Sequence, residues 1–185
     1  MAKTSAKRVI ALAVGAGVLA CAGVFGWWQF VGSPPEIDPG LAAAVLPVID
    51  AELEREGPWD IGSSDQRGRW FCAEQLIEIR RADGQLEVGL HAVCDAFASD
   101  GTALRLVGGQ SAPKRVIVTE PAHQVIEVET GADGAGRENW IDNNFSLAGA
   151  RELHRQLENA GELSDQAASE AKLAFGLPPD ATIRR

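Results

Sequence analysis

The chain has none of the short motifs that carry familiar chemistry. It contains no Gly-x-Ser-x-Gly turn to lift a serine nucleophile and no His-Glu-x-x-His pair to hold a zinc ion. Asp142-Asn143-Asn144 lacks the alternating oxygen ligands and closing glutamate of a calcium loop. Gly131 to Gly136 is glycine-rich after an expected strand, but a phosphate-binding turn must open directly into a helix, and this one is read as running into Arg137-Glu138-Asn139-Trp140 as a loop. Histidine is scarce: His91, His123 and His154 fall on an expected strand, loop and helix, and nothing in their spacing requires a common metal. The sequence therefore assigns no catalytic, cofactor-binding or metal-ligating residue.

Basic clusters are also missing beyond the N-terminus. The whole chain carries a formal charge of −9, and its first 31 residues hold Lys3, Lys7 and Arg8 with no acidic residue, which leaves −12 on residues 32–185. That balance argues against nucleic acid, whose affinity depends on neutralising phosphates, and against a second electrostatic grip on an anionic bilayer. No repeat of solenoid length occurs.

What the chain does have is a long apolar run. Val9 to Val31 contains Gln29 as its one clearly polar side chain and follows a basic tail, residues 1–8. As a helix at ~1.5 Å per residue it would be about 34 Å long, enough to cross a hydrocarbon core of ~30 Å. Trp27 and Trp28 near its far end suit the lipid–water boundary. A cleavable secretory signal has a shorter core, roughly 7–15 residues. Val18-Leu19-Ala20-Cys21 offers the alternative of an exported lipoprotein modified at Cys21, although ten more mostly apolar residues follow where a polar tether would be expected. Positive charge before the span, and Glu36 and Asp38 after it, place the N-terminus in the cytoplasm and the remainder outside. The expected organisation is a transmembrane anchor over residues 9–31, a linker over 32–40 stiffened by Pro34-Pro35, and an extracytoplasmic domain over 41–185. The bilayer itself is then the first partner.

Within the domain, Asp38-Pro39 reads as an N-cap and first helical residue. Ala42, Val45, Leu46, Ile49 and Leu53 form a stripe ended by Gly57-Pro58, with Pro47 predicting a kink or a break. From Trp70 the period becomes alternating, and strands are expected over 70–81, 85–98, 102–107, 115–119 and 124–129. Asp83-Gly84 and Asp100-Gly101 sit at the tips of short connections, which can join only antiparallel strands. Leu86, Val88, Leu90, Ala92, Cys94 and Ala96 line one packed face of the second strand, and Glu87, Gly89, His91 and Asp95 line a wetter one. Ser146 caps an expected helix to Asn159, and Ser164-Asp165 starts another that ends at Gly176. This order predicts an α+β fold, an antiparallel meander with flanking helices over one face, of cystatin-like or nuclear-transport-factor-like outline.

Cys72 and Cys94 remain once Cys21 is given to the anchor, and they flank the first hairpin. In an oxidising compartment they are expected to bond. A three-residue loop would bring them opposite one another, whereas a two-residue Asp-Gly loop aligns the apolar faces better. A bulge in the first strand between Cys72 and Ile77 reconciles the two.

Trp59 and Trp140 fall in expected loops beside charged residues, where indoles often anchor partners, and the polar stretch from Asp60 to Arg69 is the expected edge of such a surface. The expected function is a membrane-anchored binding or assembly module of the cell envelope with a protein partner. The alternative is an envelope enzyme in which His91, Glu87 or Asp95 meet in a pocket on the concave face of the sheet. The preference for Arg over Lys, the Ala- and Gly-rich anchor, the cysteine-flanked hairpin and the closing Leu177-Pro178-Pro179-Asp180 give a chain that resembles small uncharacterised exported or membrane-anchored proteins of high-GC Gram-positive bacteria. The resemblance implies an envelope setting and transfers no active residue.

Overall fold

The computed structural model describes residues 34–57, 68–157 and 160–184. The basic tail, the span over 9–31, Cys21 and Trp59 lie outside the described residues. Among the described residues no helix is long and apolar enough to cross a membrane.

Helix α1, Pro39–Glu56, begins as its sequence dictates. The Asp38 carboxylate accepts from the backbone N–H of Gly40 at 2.8 Å and Leu41 at 3.2 Å, and Pro39 fills the first turn. Pro47 neither ends nor divides the helix, which runs through it with that residue exposed. Gly57 stops it with φ at 60°. Val45, Ile49 and Leu53 are buried in one stripe, each gaining roughly 1.5–3 kcal/mol on leaving water.

Strands β1 (Arg69–Ala82), β2 (Gln85–Ser99), β3 (Leu104–Thr119) and β4 (Val125–Thr130) form an antiparallel meander in that order, and β5 (Ile183–Arg184) adds to β3 in parallel. The sheet is thus mixed and five-stranded, within an α+β fold. The β1–β2 hairpin resolves the register conflict. Near the tip Ile79 pairs with Val88 across a two-residue Asp83-Gly84 turn, while beyond a bulge at Ile77 Cys72 pairs with Cys94. The extra residue lets both sets of neighbours form, at the Ile77 end of the stretch where the sequence calls for one.

One expectation fails at β3. The sequence divides it around Gly108-Gly109 and Pro113, but a single strand runs through both. Val107 bulges opposite the Ala96–Phe97 step, which absorbs the glycine pair. The carbonyl of Pro113 accepts from the Gly131 N–H at 2.8 Å, so its missing N–H faces the side where β4 pairing has ended at Lys114–Thr130. Proline is tolerated there because no ladder bond is lost.

The helices do not cover one face only. Helix α1 packs with Cys72, Leu86, Val88, Leu90 and Cys94. Residues of the opposite parity, Phe71, Ala73 and Phe97, pack against Ala167, Ala168 and Ala171 of α4, Ala160–Ala174. Ile77 joins Ile141 of α2 (Arg137–Asn144) and Leu153 of α3 (Leu147–Leu157). The face expected to be wetter is therefore covered, and His91 and Asp95 are buried within it.

Candidate functional site

On the face under α2 to α4, charges are arranged as a ladder across four strands. Arg115 meets Glu129 and Glu87, each at 3.2 Å; Glu87 meets Arg80 at 2.9 Å, and Arg80 Nε lies 3.3 Å from Glu78. Glu78 in turn accepts from the backbone N–H of Ser146 at 2.9 Å and from its hydroxyl, while Ser146 Oγ accepts from the Gly149 N–H at 3.0 Å. Ser146 thus caps α3, as its sequence predicts, and is itself held by a carboxylate that complements the helix N-terminus.

The three groups that an enzyme would bring together are not brought together. Glu87, His91 and Asp95 point to one face of β2 but stand four residues apart in sequence, roughly 14 Å per step at ~3.4 Å per residue. Each has its own partner: Glu87 its two arginines, His91 the Ser111 hydroxyl at 2.8 Å, and Asp95 the Ser164 hydroxyl, which donates at 2.6 Å. Burial, reinforced by the nearby Arg137 charge, holds the His91 imidazole below its usual pKa, and its Nδ1 has no hydrogen-bond partner among the described residues. His154 lies 3.3 Å from Glu138, and His123 sits before β4. Among the described residues no three His, Cys, Asp or Glu side chains group as metal ligands.

Trp140 is half-buried rather than displayed on a loop, because Arg137–Asn144 is helical. Its ring meets Phe145 edge-on, centroids 6.1 Å apart, and lies over Gly131, where a Cβ would come within 3.0 Å of it. The glycine-rich stretch, through a 3-10 turn at Gly134–Gly136, does open into this helix, which corrects the expectation of a loop there.

The α1 face carries a cavity of about 230 Å³ that no motif signals. Leu53, Glu56 and Gly57 at the end of α1 form one side, and Cys94, Gln110, Lys114, Val128 and Thr130 form the sheet side. Cys94 is disulfide-bonded to Cys72, with Cα atoms 4.1 Å apart. Lys114 is buried and donates to the Thr130 hydroxyl at 2.9 Å. Burial lowers its pKa, against a pull upward from Glu74.

Beside it lies an acidic corner. Burial pushes Glu74 up to about 8, and the charges of Asp50, Glu170 and Glu54 add to the effect. Asp50 is raised to about 6 by burial and then by Glu54 and Glu170. Glu74 Oε1 and Asp50 Oδ1 are buried without hydrogen-bond partners among the described residues. Sequence reasoning missed Glu74 and Lys114, although both break the apolar phase of their strands: Glu74 alternates with Cys72, and Lys114 with Val116 and Val118. No family model, curated protein or solved structure matches the chain.

Proposed function

We propose that the chain is a membrane-anchored binding or assembly module of the cell envelope, held by residues 9–31 with its N-terminus in the cytoplasm and its α+β domain outside. The setting is supported by the Cys72–Cys94 bond, since disulfides persist in exported proteins and are rare where thiols are kept reduced, and by the basic flank before the apolar run. Cleavage, or lipidation at Cys21, would deliver the same domain to the same side. The long bulged strands with a helix across them support the cystatin-like or nuclear-transport-factor-like outline.

The observation that carries the binding reading is how the sheet uses its charges. Glu78 and Glu87 share Arg80 and are further held by Ser146 and Arg115, while His91 and Asp95 are held by Ser111 and Ser164, which makes this layer a scaffold and leaves recognition to its surroundings. A protein partner is assigned to the half-exposed ring of Trp140 and, from the sequence, to Trp59. Photocrosslinkers placed beside these residues in intact cells should capture one envelope protein repeatedly. Trp59→Ala with Trp140→Phe, which keeps a ring against Phe145, should weaken that capture while the domain stays folded. Retention of every crosslink in the folded variant rejects the surface.

The enzyme reading draws on Ser111, an exposed residue whose hydroxyl is hydrogen-bonded to a buried imidazole, the pairing that activates a nucleophile. A fluorophosphonate probe that labels Ser111, and fails to do so in His91→Ala, would favour it over simple binding.

A further inference from the structure

The ammonium of Lys114 has three protons to place, and among the described residues its hydrogen-bond acceptor is the Thr130 hydroxyl. No carboxylate lies within 4.0 Å of it there, although it is only 5% exposed. A buried charge with no carboxylate in contact is costly, and this one lies in the wall of an open volume rather than in close-packed core.

The rest of the wall narrows what would fill it. Thr130 adds a hydrogen-bonding group beside the amine, Gln110 lies opposite Cys94, and Leu53, Val128 and the Cys94 side of the disulfide offer apolar surface. At about 230 Å³ the space is below the usual range for drug-sized ligands, roughly 300–1,000 Å³. Glu56 at the rim opposes a doubly charged guest. One negative charge on a short apolar body satisfies all of these demands.

We propose that the cavity between the C-terminal end of α1 and strands β2 to β4 is a binding site for a small monocarboxylate, its carboxylate paired with Lys114 and its hydrocarbon against Leu53, Val128 and the disulfide. This site lies on the face opposite Trp140 and stands whether or not the Trp surface binds a protein. Lys114 is placed to bind and orient; no covalent step is involved.

The full chain, labelled with ¹⁵N-lysine and held in detergent, reports on the site directly, because Lys3, Lys7 and Lys172 are its only other lysines. Titration with butyrate should shift the Lys114 ammonium resonance saturably, at a dissociation constant of ~1 mM or tighter, and leave the other three unmoved. Butyramide, the neutral counterpart, and inorganic phosphate should each bind at least ~10-fold more weakly. Thr130→Val, a change at an exposed position, should weaken butyrate several-fold and keep the fold. Lys114→Met should abolish the butyrate-induced shift of the Val128 methyl resonances. A linear, unsaturable Lys114 response to butyrate overturns the proposal, as does equal binding of butyramide; preference for phosphate overturns the assignment of a monocarboxylate.

Discussion

Glu78, the first residue after the bulge at Ile77 in β1, holds both the backbone N–H and the hydroxyl of Ser146, sixty-eight residues further on. Through this contact the N-terminus of α3 is fixed to the sheet, and Gly149 is the residue that lets it approach: a Cβ there would collide with the carboxylate. Removing the carboxylate strands the Ser146 donors and one side of Arg80 in a buried setting. Glu78→Ala should therefore cost roughly 2–4 kcal/mol, read as a lower urea midpoint by tryptophan fluorescence. Glu78→Gln, which keeps an acceptor, should lose about half as much. An unchanged midpoint in both would mean that the helix is held by its apolar contacts alone.

Gly57 links the end of α1 to the cavity. Its φ of 60° disfavours any L side chain, and a Cβ would run into the Trp70 ring. Backbone strain of roughly 1–2 kcal/mol combines with the cost of displacing a buried indole, roughly 1–3 kcal/mol. Gly57→Ala should lower stability by ~2 kcal/mol or more in the same urea experiment, whereas Gly84→Ala, with open space beside it, should show the strain contribution only.

The acidic corner sets a pH dependence. Glu74 binds its proton more tightly in the folded domain than its ordinary 4.5, up to about 8, so the folded state carries more protons between those values and stability falls as pH rises through them. Asp50 adds the same trend between 3.8 and about 6. His91 works the other way, because its lowered pKa means stability is lost as pH drops below 6.5. The window clear of His91 is pH 6.5 to 8, in which Lys114, its pKa lowered by burial, opposes the trend from the alkaline side. There the urea midpoint should fall with rising pH, and Glu74→Gln should flatten the slope. Each unit of displacement corresponds to about 1.4 kcal/mol, so the whole effect amounts to a few kcal/mol. A midpoint that rises over this window would contradict the assignment of a protonated Glu74.

The disulfide should be complete in the protein isolated from cells. Closing a loop with a sequence separation of 22 restricts the unfolded chain by roughly 3 kcal/mol. Thiol counting on unfolded, unreduced protein should find neither Cys72 nor Cys94 free, and Cys72→Ala with Cys94→Ala should lower the midpoint accordingly. Two free thiols after export would remove the chief structural support for an oxidising compartment.

Where the sequence was legible, local chemistry and long-range pattern agreed. The Asp38 cap, the Asp83-Gly84 turn and the alternation of β2 each state a backbone geometry in the residues themselves. The bulge at Ile77 was legible because two registers could both be satisfied only by one extra residue. Helix α2 was not, since Arg137–Asn144 buries only Ile141 and shows no apolar stripe; Asn143 and Asn144 instead return hydrogen bonds to the carbonyls of Asn139 and Trp140. Ser164 misplaced the start of α4, which begins at Ala160. Its hydroxyl serves Asp95 rather than the helix end. The Glu78–Ser146 tie and the cavity at Lys114 arise from residues far apart in the chain, so no local window contains them.

The functional account depends most on the side of the membrane that the domain occupies. Fusing residues 1–185 to a reporter that is active only outside the cytoplasm, in parallel with one active only inside, reads this directly. An external domain gives strong signal from the external reporter at the C-terminus, none from the internal one, and reversal when Lys3, Lys7 and Arg8 are replaced by glutamate while two lysines are added after Val31. An active cytoplasmic reporter on the native sequence would contradict it.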